Sequence, residues 1–161
     1  MNSAAAVPEV VCRPAGVADL PQMVALLGCL FAQEAEFRPE PARQERGLRL
    51  ILEQPAAGRL YCAATADGWV WGMVSILFTI STAAGGPAAW LEDLVVLPEG
   101  RDRGLGRRLL DTAIAGARGA GCRRITLLTD ADNAAAQRFY HRAGFQPSPM
   151  IPLRLALAPA D

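Results

Sequence analysis

A short segment of glycines and arginines in the middle of the chain is well suited to binding an anion. Its pattern is R-x-x-G-x-G, formed by Arg101, Gly104 and Gly106. An apolar, strand-like run precedes the segment, and a helical pattern follows it at once. At such a junction the first helical N–H groups have no acceptor in the helix and lie at the positive end of its dipole. Glycines let an anion approach this backbone, and Arg103 and Arg107 add positive charge, so the segment favours a phosphate or pyrophosphate.

The same segment differs from two other nucleotide-binding motifs. The dinucleotide fingerprint G-x-G-x-x-G would need a glycine where Leu109 stands. The phosphate loop that ends in Gly-Lys-Ser/Thr is excluded because the chain contains no lysine, all 16 basic residues being arginine. A lysine Schiff base and a lysine nucleophile are excluded for the same reason.

Charge, cysteine and histidine content restrict the class of protein further. The 16 basic residues balance 16 acidic ones, and zero net charge is not typical of a nucleic-acid or anionic-membrane binder. The four cysteines show no C-x-x-C spacing and are expected to be buried free thiols, and a single histidine argues against a metal site. No apolar run is long enough to span a membrane and no signal-peptide pattern is recognisable, which together predict a cytoplasmic protein. The cysteines are Cys12, Cys29, Cys62 and Cys122.

Apolar periodicity and turn residues predict the elements that position the loop. Their order is β-α-α-β-β-β-α-β-α-β, which indicates a mixed α/β fold in one domain over residues 1–161. The dipeptide Asp67-Gly68 between two apolar runs is the strongest hairpin signal. Strands are predicted at residues 7–13, 60–64, 69–80, 89–97, 123–129 and 150–157, and helices at residues 19–30, 41–53, 104–118 and 133–143.

A second motif, N-x-x-A-x-x-F-Y-x-x-x-G-F, runs from Asn133 to Phe145. Together with R-x-x-G-x-G between a strand and a helix, it makes the chain resemble the GNAT superfamily of acyl-CoA-dependent N-acetyltransferases. The resemblance implies a mixed, mostly antiparallel sheet of about six or seven strands, flanked by four helices and splayed at its central strand. It also implies acetyl-CoA as the acyl donor, no metal, and transfer of the acetyl group to a primary amine by direct attack in a ternary complex.

In this family the central strand bulges. The resemblance implies that its free backbone groups pair with the pantetheine arm of acetyl-CoA, that the loop holds the pyrophosphate, and that Asn133 both caps its helix and contacts the pantetheine. Asp102 departs from the small residue more usual in the loop, and its negative charge is expected to weaken acetyl-CoA binding. The implied acetyl-CoA-binding residues are Leu94, Val95, Val96, Arg101, Asp102, Arg103, Gly104, Leu105, Gly106, Arg107 and Asn133.

Two side chains are candidates for catalytic proton transfer. By resemblance Tyr140 lies beside the sulfur, where a phenol would donate a hydrogen bond or a proton to the departing thiolate; the alternative is a tyrosine packed against Phe139. Glu92 is the candidate base, directly or through a water, since a glutamate pKa of about 4.3 is low for deprotonating an ammonium. The alternatives for Glu92 are pairing with an arginine or holding the ammonium of the substrate. Asp93 is interpreted as structural.

The sequence leaves the acceptor open. The acceptor pocket of the family is built mainly by the two early helices and by the strand pair before the central strand, and an acidic, aromatic-rimmed pocket there would suit a small cationic amine. The segment W-L-E-D-L, which begins at Trp90, resembles the diamine (spermidine/spermine-type) acetyltransferases. The alternative for the pocket is that Glu34 and Glu36 form a solvated helix face. Candidate pocket residues are Gln33, Glu34, Glu36, Glu40, Gln44, Trp71, Phe78, Thr82 and Trp90.

Two other functions fit the same resemblance. One is acetylation of a protein or peptide amino group, and the other is a non-catalytic acyl-CoA-binding module. The expected partner is a small-molecule amine, with no nucleic acid and no membrane. Dimers are common in the family, but the sequence does not decide between a monomer and a homodimer.

Overall fold

The structure is a computed structural model that describes residues 9–34 and 37–157. It divides into two compact units, Met1–Leu128 and Thr129–Asp161. The expectation of one domain over the whole chain therefore stays a prediction.

The first unit is a six-stranded sheet with three α-helices. Its elements are β1 (Val10–Pro14), α1 (Leu20–Phe31), α2 (Pro41–Glu53), β2 (Gly58–Thr65), β3 (Val70–Ser81), β4 (Gly86–Leu91), β5 (Val95–Val96), α3 (Leu105–Gly119) and β6 (Ile125–Leu127). The strand order is β1-β2-β3-β4-β6, with β5 beside β3, and every strand pair is antiparallel except β4 with β6. With the helix of the second unit, these elements confirm the predicted mostly antiparallel sheet with four helices among the described residues.

Local signals in the sequence account for most of these boundaries. Proline at the first position of α2 has a φ already suited to a helix and loses no hydrogen bond there. Gly68 has a φ of +88° in the turn between β2 and β3, a conformation that glycine adopts without strain. The predicted bounds of α2 and the predicted hairpin are both confirmed.

The predicted strand at residues 89–97 is interrupted by a β-bulge. Leu91 pairs with Ile76, whereas Val95 pairs with Met73, so four steps on one strand face three on the other. One extra residue therefore lies between β4 and β5, as the family resemblance implied. Since partners in register share a face of the sheet, Leu91 and Val95 lie on opposite faces although both positions are odd.

One face of the sheet packs on α1 and α2. The core there includes Met23, Leu27, Leu48, Met73 and Val95, which are all buried. The α1 positions recur at helical spacing, so this helix turns a single apolar stripe towards the sheet. After the bulge, β5 therefore contributes the side chain of Val95 to the face that packs on α1 and α2.

The second unit contains one helix, α4 (Ala134–Arg142). The side-chain oxygen of Asn133 accepts a hydrogen bond from the Ala136 amide at 3.0 Å, which confirms the predicted helix cap. The predicted strand at residues 150–157 is wrong, because no strand is present there. Alternating apolar residues favour an extended chain, but a strand also needs a neighbour to pair with, and Pro152 lacks the N–H to donate.

Four further observations bear on expectations from the sequence. All four cysteines are free thiols, but only Cys62 is buried, and Cys29 is exposed. In the part of the chain that the structure describes, no helix is long and apolar enough to cross a membrane. Within the same residues no three histidine, cysteine or acidic side chains are grouped as metal ligands would be. The first strand begins at Val10, and residues 7 and 8 of its predicted range lie outside the described residues.

Candidate active site

The glycine-containing loop ends in a left-handed turn that opens α3. Gly104 is the residue before the helix, with φ +71° and ψ 7°, and its carbonyl accepts the amide of Arg108 at 3.0 Å. The amides of Leu105 and Gly106 precede that first helical bond, so they have no acceptor within the helix. This geometry confirms the predicted junction between the loop and the helix. It suits the anionic pyrophosphate of acetyl-CoA, because the free backbone N–H groups and the positive end of the helix dipole are both at the start of α3.

Asp102 has a structural reason for its place in the loop that the sequence did not reveal. Its φ is +63°, the only positive value outside glycine among the described residues. Aspartate and asparagine tolerate this left-handed region better than other side chains do. The carboxylate that is unfavourable for an anion therefore belongs to a residue type that the backbone accepts.

Two of the loop arginines remain without an acidic partner among the described residues. The guanidinium of Arg103 lies over the ring of Trp71, 5.4 Å from its centroid. Arg101 is exposed, and its Nε is 3.4 Å from the carbonyl oxygen of Val96, a long hydrogen bond. Both side chains keep a full positive charge for an anion.

The other two arginines at this helix start are engaged elsewhere. Arg107 forms an ion pair with Asp111 at 2.9 Å, one helical turn further on. Arg108 donates to the carbonyl of Val10 at 2.6 Å. The sequence grouped these side chains at one site, but its spacing could not show which of them hold neighbouring elements.

Strand β5 contains Val95 and Val96, two of the three residues predicted to contact the pantetheine arm. It pairs with β3 alone in the described part of the chain, whereas β4 also pairs with β6 on its other side. The sheet thus splays between β5 and β6, as predicted. Val95 points into the core, and Leu94 and Val96 are half-buried.

The two carboxylates at the bulge have different surroundings. Glu92 is exposed, and its amide donates to the carbonyl of Ser75 at 2.9 Å. Asp93 is half-buried and lines a cleft against α1 and α2. Burial, and next the negative charge of Glu92, raise the pKa of Asp93 to about 6. Asp93, interpreted from the sequence as structural, is therefore the carboxylate that faces a cavity.

That cleft has a volume of about 580 Å³ and lies between α1, the segment that follows it, and α2. Its walls are mostly apolar, with Phe31 and Phe37 5.6 Å apart between ring centroids. Its polar lining is not predominantly acidic, in contrast to the pocket expected from the sequence. The polar lining residues are Arg38, Glu40, Arg43, Gln44 and Asp93.

The residues expected around the acceptor pocket are thus only partly brought together. Glu40 and Gln44 line the cleft, whereas Trp71 lies under Arg103 at the loop and Phe78 under the guanidinium of Arg59. Of the others, Gln33, Glu34, Thr82 and Trp90 are not among the lining residues, and Glu36 lies outside the described residues.

Tyr140, the predicted proton donor, belongs to the second unit. Its ring makes edge-to-face contacts with Phe139, at 5.1 Å between centroids, and with Phe145, at 5.7 Å. Burial raises the pKa of Tyr140 to about 12. The phenol is therefore protonated at neutral pH, and it is better suited to donating a hydrogen bond than to releasing its proton.

Comparison with known proteins agrees with this fold and loop. The sequence profile of the Acetyltransferase (GNAT) family matches residues 23–145, which include both motifs and the bulge. The chain belongs to this family and is an acetyl-CoA-dependent N-acetyltransferase.

Three similar proteins illustrate the relationship. An aminoglycoside N(6')-acetyltransferase type 1 of Stenotrophomonas maltophilia is 27% identical over 109 residues, 65% of this chain and 71% of that enzyme. An integron cassette protein from the Cole Harbour salt marsh metagenome is 30% identical with a TM-score of 0.79, covering 92% of this chain and 91% of its own. A protein of Agrobacterium tumefaciens named as an acetyltransferase is 31% identical with a TM-score of 0.74, covering 90% and 99%. The closer resemblance to diamine acetyltransferases stays a prediction.

Proposed function

We propose that the protein transfers the acetyl group of acetyl-CoA to the primary amine of a small molecule, in a ternary complex. The observation that carries this proposal is the cleft beside Asp93, which is large enough for a small molecule and ends at the bulge between β4 and β5. Strand β5, which would pair with the pantetheine arm, follows the same bulge, so acyl donor and acceptor would meet at one break in the sheet. The named acceptor group of the aminoglycoside relative, a nitrogen, supports an amine acceptor here.

The residues of this chain have separate parts in the proposed reaction. The amides at the start of α3, with Arg101 and Arg103, would hold the pyrophosphate, and β5 would align the pantetheine arm. Asn133 is proposed to contact that arm as well. When bound, acetyl-CoA supplies an activated acyl group. The amine nitrogen bonds to the acetyl carbon, the carbon–sulfur bond breaks, and the sulfur leaves as a thiolate.

Two side chains are assigned to the departing sulfur and to the amine proton. Tyr140 would donate a hydrogen bond to the departing sulfur, since its phenol stays protonated over the working pH range. Glu92 would accept the proton of the amine, directly or through a water, as the sequence suggests; its exposed position favours the route through water.

Release of free thiol from acetyl-CoA in the presence of a panel of amines tests the proposal. The panel comprises polyamines, amino acids, aminoglycosides, hydrophobic monoamines and N-terminal peptides. We expect stoichiometric thiol release and an acetylated product with at least one small amine. Tight acetyl-CoA binding with no amine-dependent release would identify a non-catalytic binding module instead, and release with peptides alone would identify a protein acetyltransferase.

A homodimer is part of the proposal and rests on the end of the chain. The apolar residues Met150, Ile151, Leu153, Leu155 and Leu157 are each between 79% and 90% exposed, and four of them alternate. An apolar row of this kind is typical of a surface that pairs with another chain. Light scattering on the intact protein should give twice the mass of the 17.1 kDa chain. The monomer mass at micromolar concentration would contradict it.

A cytoplasmic location is the remaining part of the proposal. The four free thiols are compatible with a reducing compartment. Labelling of intact and lysed cells with a membrane-impermeant thiol reagent tests it, because Cys29 is exposed. Labelling should require lysis.

A further inference from the structure

The walls of the cleft between α1 and α2 suit a hydrophobic body. The rings of Phe31 and Phe37 are inclined at 45° and form an aromatic wall, of which Phe37 is 46% exposed. The volume, about 580 Å³, is in the range of small-molecule sites, which are lined mainly by apolar groups with a few polar ones. The apolar lining residues are Leu27, Phe31, Phe37, Leu48 and Ile51.

Gln44 lines this cleft and has a hydrogen-bond acceptor in its side chain that is unpaired in the part of the chain that the structure describes. The residue is only 8% exposed, and its side-chain oxygen has no hydrogen-bond partner among the described residues. Its side-chain nitrogen donates a hydrogen bond to the carbonyl of Arg38 at 3.4 Å, so the oxygen is the side-chain atom that has no partner in the described structure. Buried acceptors are nearly always paired in folded proteins, and a donor on a bound molecule would complete this one.

Ser75 has a second polar group that is unpaired in the described structure, on the face of the sheet that packs on α1 and α2. It pairs in register with Leu60, which belongs to the core cluster of α1 and α2, so its side chain lies on that face. The residue is 1% exposed, and its hydroxyl has no partner within the described residues. Its carbonyl accepts the amide of Glu92, which places Ser75 opposite the bulge that carries Asp93.

The charges of the cleft lining are balanced. Glu40 and Arg43 form an ion pair at 2.9 Å, which leaves Asp93 and Arg38 as the other charged lining residues. A polyamine or an aminoglycoside brings several positive charges, and most of these would find no carboxylate here. One ammonium is matched by the one carboxylate outside the ion pair.

From this juxtaposition of Asp93, Gln44 and an apolar wall we infer that the acceptor is a primary amine with one positive charge and a hydrophobic body. The carboxylate of Asp93 and the side-chain oxygen of Gln44 accept hydrogen bonds from the amine, and the two phenylalanines contact its body. The inference rests on the proposed function, since it names the class of amine that the same site acetylates. It also makes Asp93, rather than Glu92, the carboxylate that touches the substrate.

The reaction balances with the groups already named. The ammonium held by Asp93 gives one proton through a water to Glu92 and on to solvent, and the neutral amine forms its bond to the acetyl carbon. The carbon–sulfur bond breaks with its electron pair on sulfur, and the second amine proton makes up the proton that the thiolate takes. The products are an N-substituted acetamide and the free thiol of coenzyme A.

Steady-state thiol release with defined amines tests the inference on the intact chain. The hydrophobic monoamines are phenethylamine and isoamylamine, and the polycations are spermidine and kanamycin. L-phenylalaninamide and L-phenylalanine carry the same kind of amine and hydrophobic body, with an amide or a carboxylate beside the amine. We expect kcat/KM for hydrophobic monoamines to exceed that for the polycations by at least about tenfold. The amino-acid arms show whether a carbonyl or a carboxylate beside the amine is accepted as well.

Variants connect that preference to the cleft. Asp93→Asn should lower kcat/KM for the amine by about 100-fold and leave the dissociation constant of acetyl-CoA unchanged, and Asp93→Glu should restore part of the loss. Gln44→Leu should raise KM for the amine by about tenfold. Glu45→Gln is the matched control, because it removes an exposed carboxylate one residue from Gln44 that is paired with Arg49.

Several outcomes would overturn the inference and leave the proposed function standing. They are a preference for spermidine or kanamycin, an amine dependence that survives Asp93→Asn, or the same loss in Glu45→Gln as in Gln44→Leu. Thiol release that does not depend on any added amine would contradict the proposed function instead. Calorimetry with acetyl-CoA distinguishes an Asp93→Asn protein that is folded but does not bind the amine from one that is unfolded. Partial recovery of kcat/KM in Asp93→Glu provides a second measurement.

Discussion

The guanidinium of Arg103 lies 5.4 Å from the centroid of the Trp71 ring, so an arginine of the anion-binding loop is held over an indole on β3. A cation in this position is attracted by the face of the ring, which restricts the side chain without neutralising its charge. Trp71 also packs closely against Gly100 near the start of the loop, since a Cβ at Gly100 would lie 3.1 Å from the Trp71 ring. This contact joins the sheet to the loop.

Arg103→Ala should raise KM for acetyl-CoA several-fold and leave kcat nearly unchanged, because it removes a charge that binds ground state and transition state alike. Arg59→Ala is the matched control, since Arg59 lies over the Phe78 ring at 5.5 Å and outside the loop. Initial rates at varied acetyl-CoA measure both. Equal effects in the two variants would show that Arg103 has no special part in binding.

Asp102→Asn should strengthen acetyl-CoA binding. The substitution removes a negative charge from the loop but keeps a residue type that tolerates the left-handed backbone, here at φ +63°. Calorimetry should show a lower dissociation constant, with the largest gain at low salt, where charges are least screened. A weaker complex would mean that the carboxylate itself contributes to the site.

Gly104→Ala should weaken acetyl-CoA binding beyond its effect on stability. A side chain there meets nothing within 4 Å, so the cost of about 1 kcal/mol comes from the positive φ of +71°. Gly68→Ala is the control with the same features, a φ of +88° and open space, in the turn between β2 and β3. Similar losses of melting temperature with a loss of affinity only in Gly104→Ala would support the loop as the binding site.

Tyr140→Phe should lower kcat and leave the affinity for acetyl-CoA nearly unchanged. With a pKa of about 12 against about 8.5 for a thiol, full proton transfer from the phenol would be uphill by about 5 kcal/mol, so the expected role is a hydrogen bond. Since the raised pKa keeps the phenol protonated, the rate should show no loss from tyrosine ionisation below about pH 11. Phe145→Leu, which removes a ring contact but keeps the hydroxyl, is the control.

Asp19→Asn should destabilise the protein by about 2 kcal/mol at pH 7. Arg13 donates two hydrogen bonds to Asp19, at 2.8 and 2.9 Å, and the Gly16 amide adds a third at 2.8 Å. The bonds from Arg13 hold the pKa of Asp19 below its usual value. The stabilisation is therefore complete above the unfolded-state pKa near 4 and is lost as the pH falls through the lower folded-state pKa.

Urea unfolding of wild type and Asp19→Asn between pH 2 and pH 7 measures this dependence. The two free energies of unfolding should converge at the acidic end. Glu45→Gln, which removes an ion pair exposed at both ends, should cost less than about 1 kcal/mol. A constant difference between wild type and Asp19→Asn at all pH values would contradict the linkage.

Expectations from local signals were mostly correct, whereas the predicted last strand, which needed a distant partner, was wrong. The helix cap at Asn133 and the proline that starts α2 act on neighbouring residues, so the sequence shows them directly. The apolar alternation at residues 150–157 is equally clear, yet no strand is present there. A strand requires hydrogen bonds to another segment, and no local pattern supplies them.

The sequence by itself determined the anion-binding loop, because glycine conformation and helix-start donors are properties of consecutive residues. It also placed two neighbouring carboxylates, Glu92 and Asp93, in the predicted central strand. Only the tertiary structure decided that Asp93 lines the cleft and that Glu92 is exposed. That choice depends on the one-residue slip between Leu91–Ile76 and Val95–Met73, and a slip of one residue exchanges the two faces of a strand.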